Sequence, residues 1–198
     1  MKIIKVSTEL EMSVHEFPEG TMREQNKVLY GLIGNGCDLV EHVMPKRLYT
    51  ELKMPSSPVK EPGKCVSMLI DEEGRLKPNK ANLIGSYLYE VDKHGCPIVG
   101  NILFIGEKMG DDGVEFCGIS EENFSLLETE LKNMITAMKA TVKEMNMNVG
   151  PTRLVQPDFY LLVDVDDLQK QVNTLENEVH RMKRVEARRK WRYGRKNY

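Results

Sequence analysis

The stretch "PIVGNILFIGEKMGDDGVEFCGISEE" (residues 97–122) decides the fold, because it contains two predicted strands, a turn and the start of a helix. Residues 97–106 are strongly apolar and predict a buried strand. The acidic glycine turn at 110–113 follows, and residues 114–119 predict a further strand. Ser120 can then cap a helix, with Glu121 and Glu122 favourably placed in its first turn.

The predicted helix covers residues 120–147 and carries one apolar stripe. Its members recur at a spacing of three or four residues, which is the period of a helix face: Phe124, Leu127, Leu131, Met134, Ile135, Met138, Val142 and Met145. Several of them are methionines, which suit adaptable surfaces as well as cores. The stripe therefore predicts either a core face or a homo-oligomer interface.

The N-terminal half predicts further strands and helices. Thr21 with Glu24 matches a capping box, and Gly34 and Gly36 are typical of a helix end. Pro, Ser and Gly at 53–64 predict a loop. Strands are predicted at 2–6, 11–16, 37–43 and 65–70, with helices at 21–33 and 79–91. The whole pattern predicts an α+β fold, in which a small mixed or antiparallel sheet packs against helices and a coiled-coil helix follows at the C-terminus.

Length and composition suggest one globular domain, residues 1–150, a connecting strand or linker at 151–165, and a coiled-coil helix with a basic tail at 166–198. No apolar run approaches the roughly 20 residues of a membrane span, and the start lacks a signal-peptide pattern. The four cysteines are widely spread, which favours reduced thiols and a cytoplasmic protein. No membrane contact is predicted.

The region after residue 166 shows a heptad seam. Its apolar residues alternate by four and three, a pattern that favours a parallel two-stranded coil: Leu168, Val172, Leu175, Val179 and Met182. Because the seam covers little more than two heptads, it needs support from the body or from a partner. We therefore expect a homo-oligomer.

The last 18 residues carry nine Lys or Arg and one Glu, a charge of +8, which leaves 19 basic and 29 acidic residues in 1–180. Such a tail predicts binding to nucleic acid or to an acidic host protein or nucleoprotein. A merely solvated helix end is the alternative. The candidate binding residues are Arg181, Lys183, Arg184, Arg188, Arg189, Lys190, Trp191, Arg192, Tyr193, Arg195 and Lys196.

A second candidate site is the segment "KPNKAN" (residues 77–82), where ammonium and amide donors precede a predicted helix. Free N–H groups and the helix dipole attract anions there, so Lys77, Asn79, Lys80 and Asn82 are candidates for holding a phosphorylated nucleotide. The alternative is a capped loop with solvated lysines.

Metal and catalytic chemistry have weaker signals. Only the His94 and Cys96 pair is closely spaced, with Cys65 and Cys117 remote, so neither a metal site nor a cofactor is predicted. The carboxylates at 71–73 and 111–112 lie in glycine-containing turns, where acidic residues are ordinarily solvated. No known catalytic motif occurs. We therefore predict no catalytic residues, although an enzyme with an unrecognised site is an open alternative.

Residues from about 30 to 130 resemble a family of small proteins from tailed phages and conjugative elements, which is catalogued as a domain of unknown function. The resemblance rests on the order of "CDLVEHV", "CVSMLIDEEGRLKPNKAN", "PIVGNILFIGE" and "VEFCGISEE". It implies a viral or mobile-element origin and no particular activity.

The sequence thus favours a non-catalytic accessory protein of a phage or mobile element. It would oligomerise and bind nucleic acid or a host target through its tail. Two alternatives remain: a sponge that sequesters a nucleotide signal of host immunity near Lys77 to Asn82, and an enzyme.

Overall fold

The computed structural model describes residues 1–111 and 113–148, with the backbone alone at His94 and at 145–148. The predictions for the linker, the heptad seam and the basic tail lie outside these described residues. Within them the chain forms an antiparallel sheet of six strands with five helices, which confirms the α+β class.

The elements follow one another along the chain in a mixed order. The strands are β1 (Lys2–Val6), β2 (Met12–Glu16), β3 (Val40–Val43), β4 (Cys65–Asp71), β5 (Ile102–Gly110) and β6 (Gly113–Cys117). The helices are α1 (Met22–Ile33), α2 (Lys46–Glu51), α3 (Leu83–Leu88), α4 (Val91–His94) and α5 (Glu121–Asn148). Of the helices described, none combines the length and apolar character needed to span a bilayer.

Strand β5 is the centre of the sheet, whose order is β2-β1-β5-β4-β3. One edge of β5 pairs with β4. The other edge pairs with β1 near Phe104 and with β6 from Gly106 onwards. The first six residues of β5 are buried, as its continuous apolar sequence predicts for a strand covered on both faces.

Two strands, β5 and β3, differ most from the sequence predictions, whereas the bounds of the other strands differ by at most two residues. Strand β5 starts at Ile102 instead of 97 and runs on to Gly110, since Gly100 takes a left-handed conformation (φ 78°) that turns the chain just before it. Strand β3 starts at Val40 instead of 37. There Asn35 and Gly36 also have positive φ, and the turn they form delays pairing.

The helix predicted at 79–91 is two short helices, α3 and α4. Asn82 caps α3, so the residues before it are not helical. Glu90 has a left-handed conformation (φ 63°), which separates α3 from α4. The short helix α2 was not predicted. The capping box of Thr21 and Glu24 at the start of α1 is confirmed.

The two faces of the sheet carry separate apolar clusters. Met68 and Phe104 belong to the cluster that includes α5, whereas Leu69 and Leu103 belong to the cluster under α1. Alternate residues of a strand point to opposite faces, so α5 and α1 cover opposite sides. The first half of the α5 stripe is core, with these buried members: Phe124, Leu127, Leu131 and Ile135.

Three glycines bring backbone segments into direct contact beside β5. A Cβ on Gly106 would lie 2.4 Å from the carbonyl oxygen of Gly118 and 2.7 Å from the Cα of Gly63. Real Cβ atoms do not approach backbone this closely, so the packing of the 63–64 segment against residues 118–120 requires glycine at position 106.

Candidate functional site

The predicted ligand loop at 77–82 is held in place by Asn82, which is fully buried. Its side-chain oxygen accepts a hydrogen bond from the Gly85 N–H and so caps α3. Its amide nitrogen donates to the carbonyls of Val6 (3.1 Å) and Gly100 (3.0 Å). Asn82 therefore joins three separate backbone segments, and its donors face the protein interior.

Both lysines of the loop are paired with carboxylates. Lys77 Nζ lies 2.7 Å from the buried Asp71 carboxylate and donates to the Gly36 carbonyl at 3.0 Å. The hydrogen bond to Asp71 raises the pKa of Lys77, which keeps its ammonium charged. Lys80 pairs with Glu9 at 2.8 Å, where both side chains are exposed. Internal contacts thus account for both charges that were predicted to attract an anion.

The loop nevertheless lines a polar cavity of about 320 Å³, between the end of α1, the β1–β2 connection and residues 100–101. The Asn35 amide donates to the Asn79 side-chain oxygen, and Asn79 donates to the Gly74 carbonyl at 2.9 Å. Asn101 donates to the Ile33 carbonyl at 2.8 Å, at the end of α1. Three amide side chains therefore converge on one cavity.

This amide-rich cavity suits a small polar ligand better than a free anion. Each side-chain amide can both donate and accept hydrogen bonds. By contrast, the charges of Lys77 and Lys80 are already compensated by Asp71 and Glu9. Opening the exposed Glu9–Lys80 pair would cost about 1 kcal/mol or less, so Lys80 is the cation that a ligand could recruit. Asn79 and Lys80 line the cavity, while Asn82 supports it from beneath.

A second polar cluster lies on the α1 face of the sheet and was not predicted. The imidazole Nε2 of His42, on β3, contacts Oε1 of Glu107, on β5. The Glu107 side chain is 1% exposed and that of His42 is 38% exposed. Burial is the largest influence on the pKa of Glu107 and would raise it, but the hydrogen bond and charge of His42, together with the neighbouring Ser67 and Cys65 side chains, outweigh burial, so the pKa lies below its ordinary value.

Two buried oxygen atoms of this cluster lack hydrogen-bond partners within the described residues, Glu107 Oε2 and Ser67 Oγ. Cys65 pairs with Glu107 across the strands and is completely buried. Burial, followed by the charge of Glu107, raises the pKa of the Cys65 thiol to about 12. The Cys65 thiol and the Ser67 hydroxyl are thus both shielded from solvent, and the thiol stays protonated. Neither group is therefore suited to act as a nucleophile.

The cysteines weighed as metal ligands do not share a site. Cys65 pairs with Glu107 and Cys117 with Gly106, which are successive residues, so the two thiols face opposite sides of the sheet. Cys96 is exposed beyond α4. Among residues 1–111 and 113–148, no group of three or more His, Cys, Asp or Glu residues could hold a metal ion.

The three acidic residues of the turn at 71–73 differ in their exposure to solvent. Asp71 is 3% exposed, and its Oδ1 accepts a hydrogen bond from the Glu73 N–H at 3.1 Å while Oδ2 contacts Lys77. Glu72 and Glu73 are exposed. The turn therefore holds one structural carboxylate next to two solvated ones, and no pair of closely placed buried acids.

Comparisons with known proteins found no significant match to any family model, curated protein or solved structure. The resemblance to phage and mobile-element proteins therefore remains a prediction from the sequence alone.

Proposed function

We propose that this protein binds nucleic acid through its basic C-terminal tail, with the α+β body as a non-catalytic platform. The observation that carries the proposal is the separation of charge. Residues 181–198 carry +8, whereas the rest of the chain carries −10. A polyanion is attracted to the tail and repelled by the body, so contacts would concentrate at one end of the chain.

The chemistry of the body supports a binding role. Burial raises the pKa of Cys65, Cys117 and Tyr49, so these groups stay protonated near neutral pH. The buried acids Asp71 and Glu107 are each held by a basic side chain. The reactive groups that the fold brings together thus have structural partners.

The heptad seam adds to the proposal, because an oligomer would present several tails together. Linked tails raise the local concentration of binding sites on one nucleic acid, which strengthens overall binding. A phage or mobile-element origin and a cytoplasmic location fit this role and are part of the proposal.

The test is an anisotropy titration of a labelled single-stranded oligonucleotide between about 50 and 200 mM salt. We expect the intact chain to lose affinity steeply with salt. A chain ending at Met182 should bind much more weakly, with a flatter salt dependence. A full-length variant with all nine tail cations replaced by glutamine controls for the missing residues. Equal affinity and equal salt slope in the intact and shortened chains would overturn the proposal.

An acidic protein is the competing target class, and a capture experiment separates the two. The intact chain is used to capture partners from a lysate, with and without nuclease treatment. Partners that are lost on nuclease treatment support nucleic acid as the target, and partners that survive it support a protein surface.

Sequestration of a small nucleotide-like ligand is a second candidate function, favoured by the cavity that Asn35, Asn79 and Asn101 share. Native mass spectrometry of protein purified from its host should then show a retained ligand. The Asn35→Ala variant should lose it, because Asn35 contacts Asn79 inside the cavity. Identical masses for the native protein and the denatured chain would exclude a retained ligand.

A further inference from the structure

An open groove of about 810 Å³ runs along one flank of α1 and the turn that follows it. Arg23, Lys27, Tyr30 and Gly31 lie along this flank at helical spacing, so the four residues share one side of α1. Gly36, in the turn after α1, also lines the groove. The groove is separate from the amide-rich cavity except for Gly34, which lines both.

The charge of the groove is positive. Arg23 and Lys27 are exposed, and neither has a carboxylate partner within the described part of the chain. None of the described residues that line the groove is Asp or Glu. Burial, and then the charge of Asp71, raises the pKa of the Cys37 thiol at the groove margin, so that group stays neutral. Arg23 and Lys27, four residues apart, are therefore the charged side chains among the described residues that line the groove.

The groove also offers a ring for stacking and room beside it. Tyr30 is half-buried, and its hydroxyl has no hydrogen-bond partner among the described residues. A Cβ added at Gly31 or at Gly36 would meet no atom within 4 Å. Without side chains at these two positions, a flat ligand can approach the backbone next to the Tyr30 ring.

We propose that this groove is a second contact site for single-stranded nucleic acid. Arg23 and Lys27 bind consecutive phosphates, and Tyr30 stacks against an unpaired base. Cations that follow the backbone and an aromatic ring that accepts any base form the usual combination in proteins that bind single strands. The inference rests on the proposed function, and it gives the acidic body a local site for the strand that the tail captures.

The first test compares two double variants of the full-length chain. Arg23→Ala/Lys27→Ala removes the groove cations. Lys139→Ala/Lys143→Ala removes two exposed helical cations, also four residues apart and without ion-pair partners among the described residues, from α5 on the other side of the sheet. We expect the groove variant to bind a labelled oligothymidylate about tenfold more weakly, with a salt slope smaller by about 1.4. The α5 variant should bind like the unmodified chain. If both variants lose oligonucleotide affinity equally, the groove is not a specific contact site.

The second test locates the contact directly. An oligonucleotide containing 5-iododeoxyuridine is photo-crosslinked to the full-length chain, which is then digested with trypsin. Adducts on the peptide from Val28 to Lys46 support a base stacked on Tyr30. Adducts found only on peptides with Trp191 or Tyr193 overturn the groove while they support the tail. Tyr30→Phe should keep the groove adduct, whereas Tyr30→Ser should lose it.

The full-length variant with nine glutamines in the tail separates the two proposals. If its Tyr30 adduct persists at high oligonucleotide concentration, the groove binds without the tail. If tail replacement leaves affinity unchanged while the groove variant loses it, the tail proposal fails and the groove stands. If the unmodified chain does not bind the oligonucleotide, both fail.

Discussion

His42 on the edge strand β3 contacts the buried carboxylate of Glu107 on β5, across the full width of β4. The ring of His42 also lies 5.6 Å from that of Phe116, on β6. One half-exposed side chain thus connects both ends of a four-strand segment, and it supplies a partner for a charge that would otherwise be unpaired inside the protein.

We expect His42→Ala to lower the free energy of unfolding by about 2 kcal/mol. Breaking a fully buried ion pair costs about 3–5 kcal/mol, and we expect less here because the imidazole is 38% exposed. Urea denaturation measures the change. The control is His15→Ala on strand β2, whose hydrogen bond to Ser13 is exposed. If both variants lose the same small amount of unfolding free energy, the buried carboxylate of Glu107 does not depend on His42 for its stabilisation.

Glu107 should make stability depend on pH in the acid range. Its pKa is lowered in the folded state, so its contribution is fully present above the unfolded value of about 4.5 and is lost as pH falls through the folded pKa. Thermal unfolding between about pH 6 and pH 3 should therefore show a falling midpoint. Glu107→Gln removes this ionisation, so its curve should fall less steeply over that range. If the midpoints of the unmodified chain and of Glu107→Gln fall in parallel as the pH is lowered, the acid dependence does not come from Glu107.

Gly106→Ala should destabilise the fold by at least about 2 kcal/mol, because the new Cβ would meet backbone atoms that cannot move aside singly. Gly31→Ala is the matched control. It lies on an exposed part of α1 with no atom near the added Cβ, so it should be neutral or stabilising by up to about 1 kcal/mol. The measurement is chemical denaturation of both variants. A stable Gly106→Ala chain would mean that the crossing of residues 63 and 118 is looser than described.

Asn82→Ala should cost about 3 kcal/mol. The substitution removes the cap of α3 and leaves the buried carbonyls of Val6 and Gly100 without their amide donor. Asn133→Ala, at an exposed position of α5, should change stability by less than about 1 kcal/mol. If Asn82→Ala were as mild as its control, water would have to replace the lost donor.

Local signals in the sequence predicted most elements of the fold. The capping box at Thr21 depends only on neighbouring residues, and so does the apolar stripe from Phe124 to Ile135. Both were found from spacing alone. The boundary of β5 was misplaced because residues 97–101 are as apolar as a strand, while the left-handed Gly100 that interrupts them leaves no trace in hydrophobicity.

The polar sites could be predicted only in part. Asn79 and Lys80 were singled out as ligand donors, and they do line a cavity. The pairing of Lys77 with Asp71 and of Lys80 with Glu9 was missed, because it depends on tertiary contact. His42 and Glu107 are 65 residues apart, and no local pattern connects them. Their relation required knowing that β3 and β5 both flank β4.

The central place of β5 constrains how the chain can be synthesised. During translation, the β1–β2 hairpin and the β3–β4 pair emerge first, yet each must wait for residues 102–110 before it gains its second neighbour. Until β5 leaves the ribosome, the nascent chain exposes strand edges and apolar faces from both pairs. Most of the described body must therefore be made before the sheet can be completed, and we expect chaperones to bind a nascent chain that is stalled before residue 102.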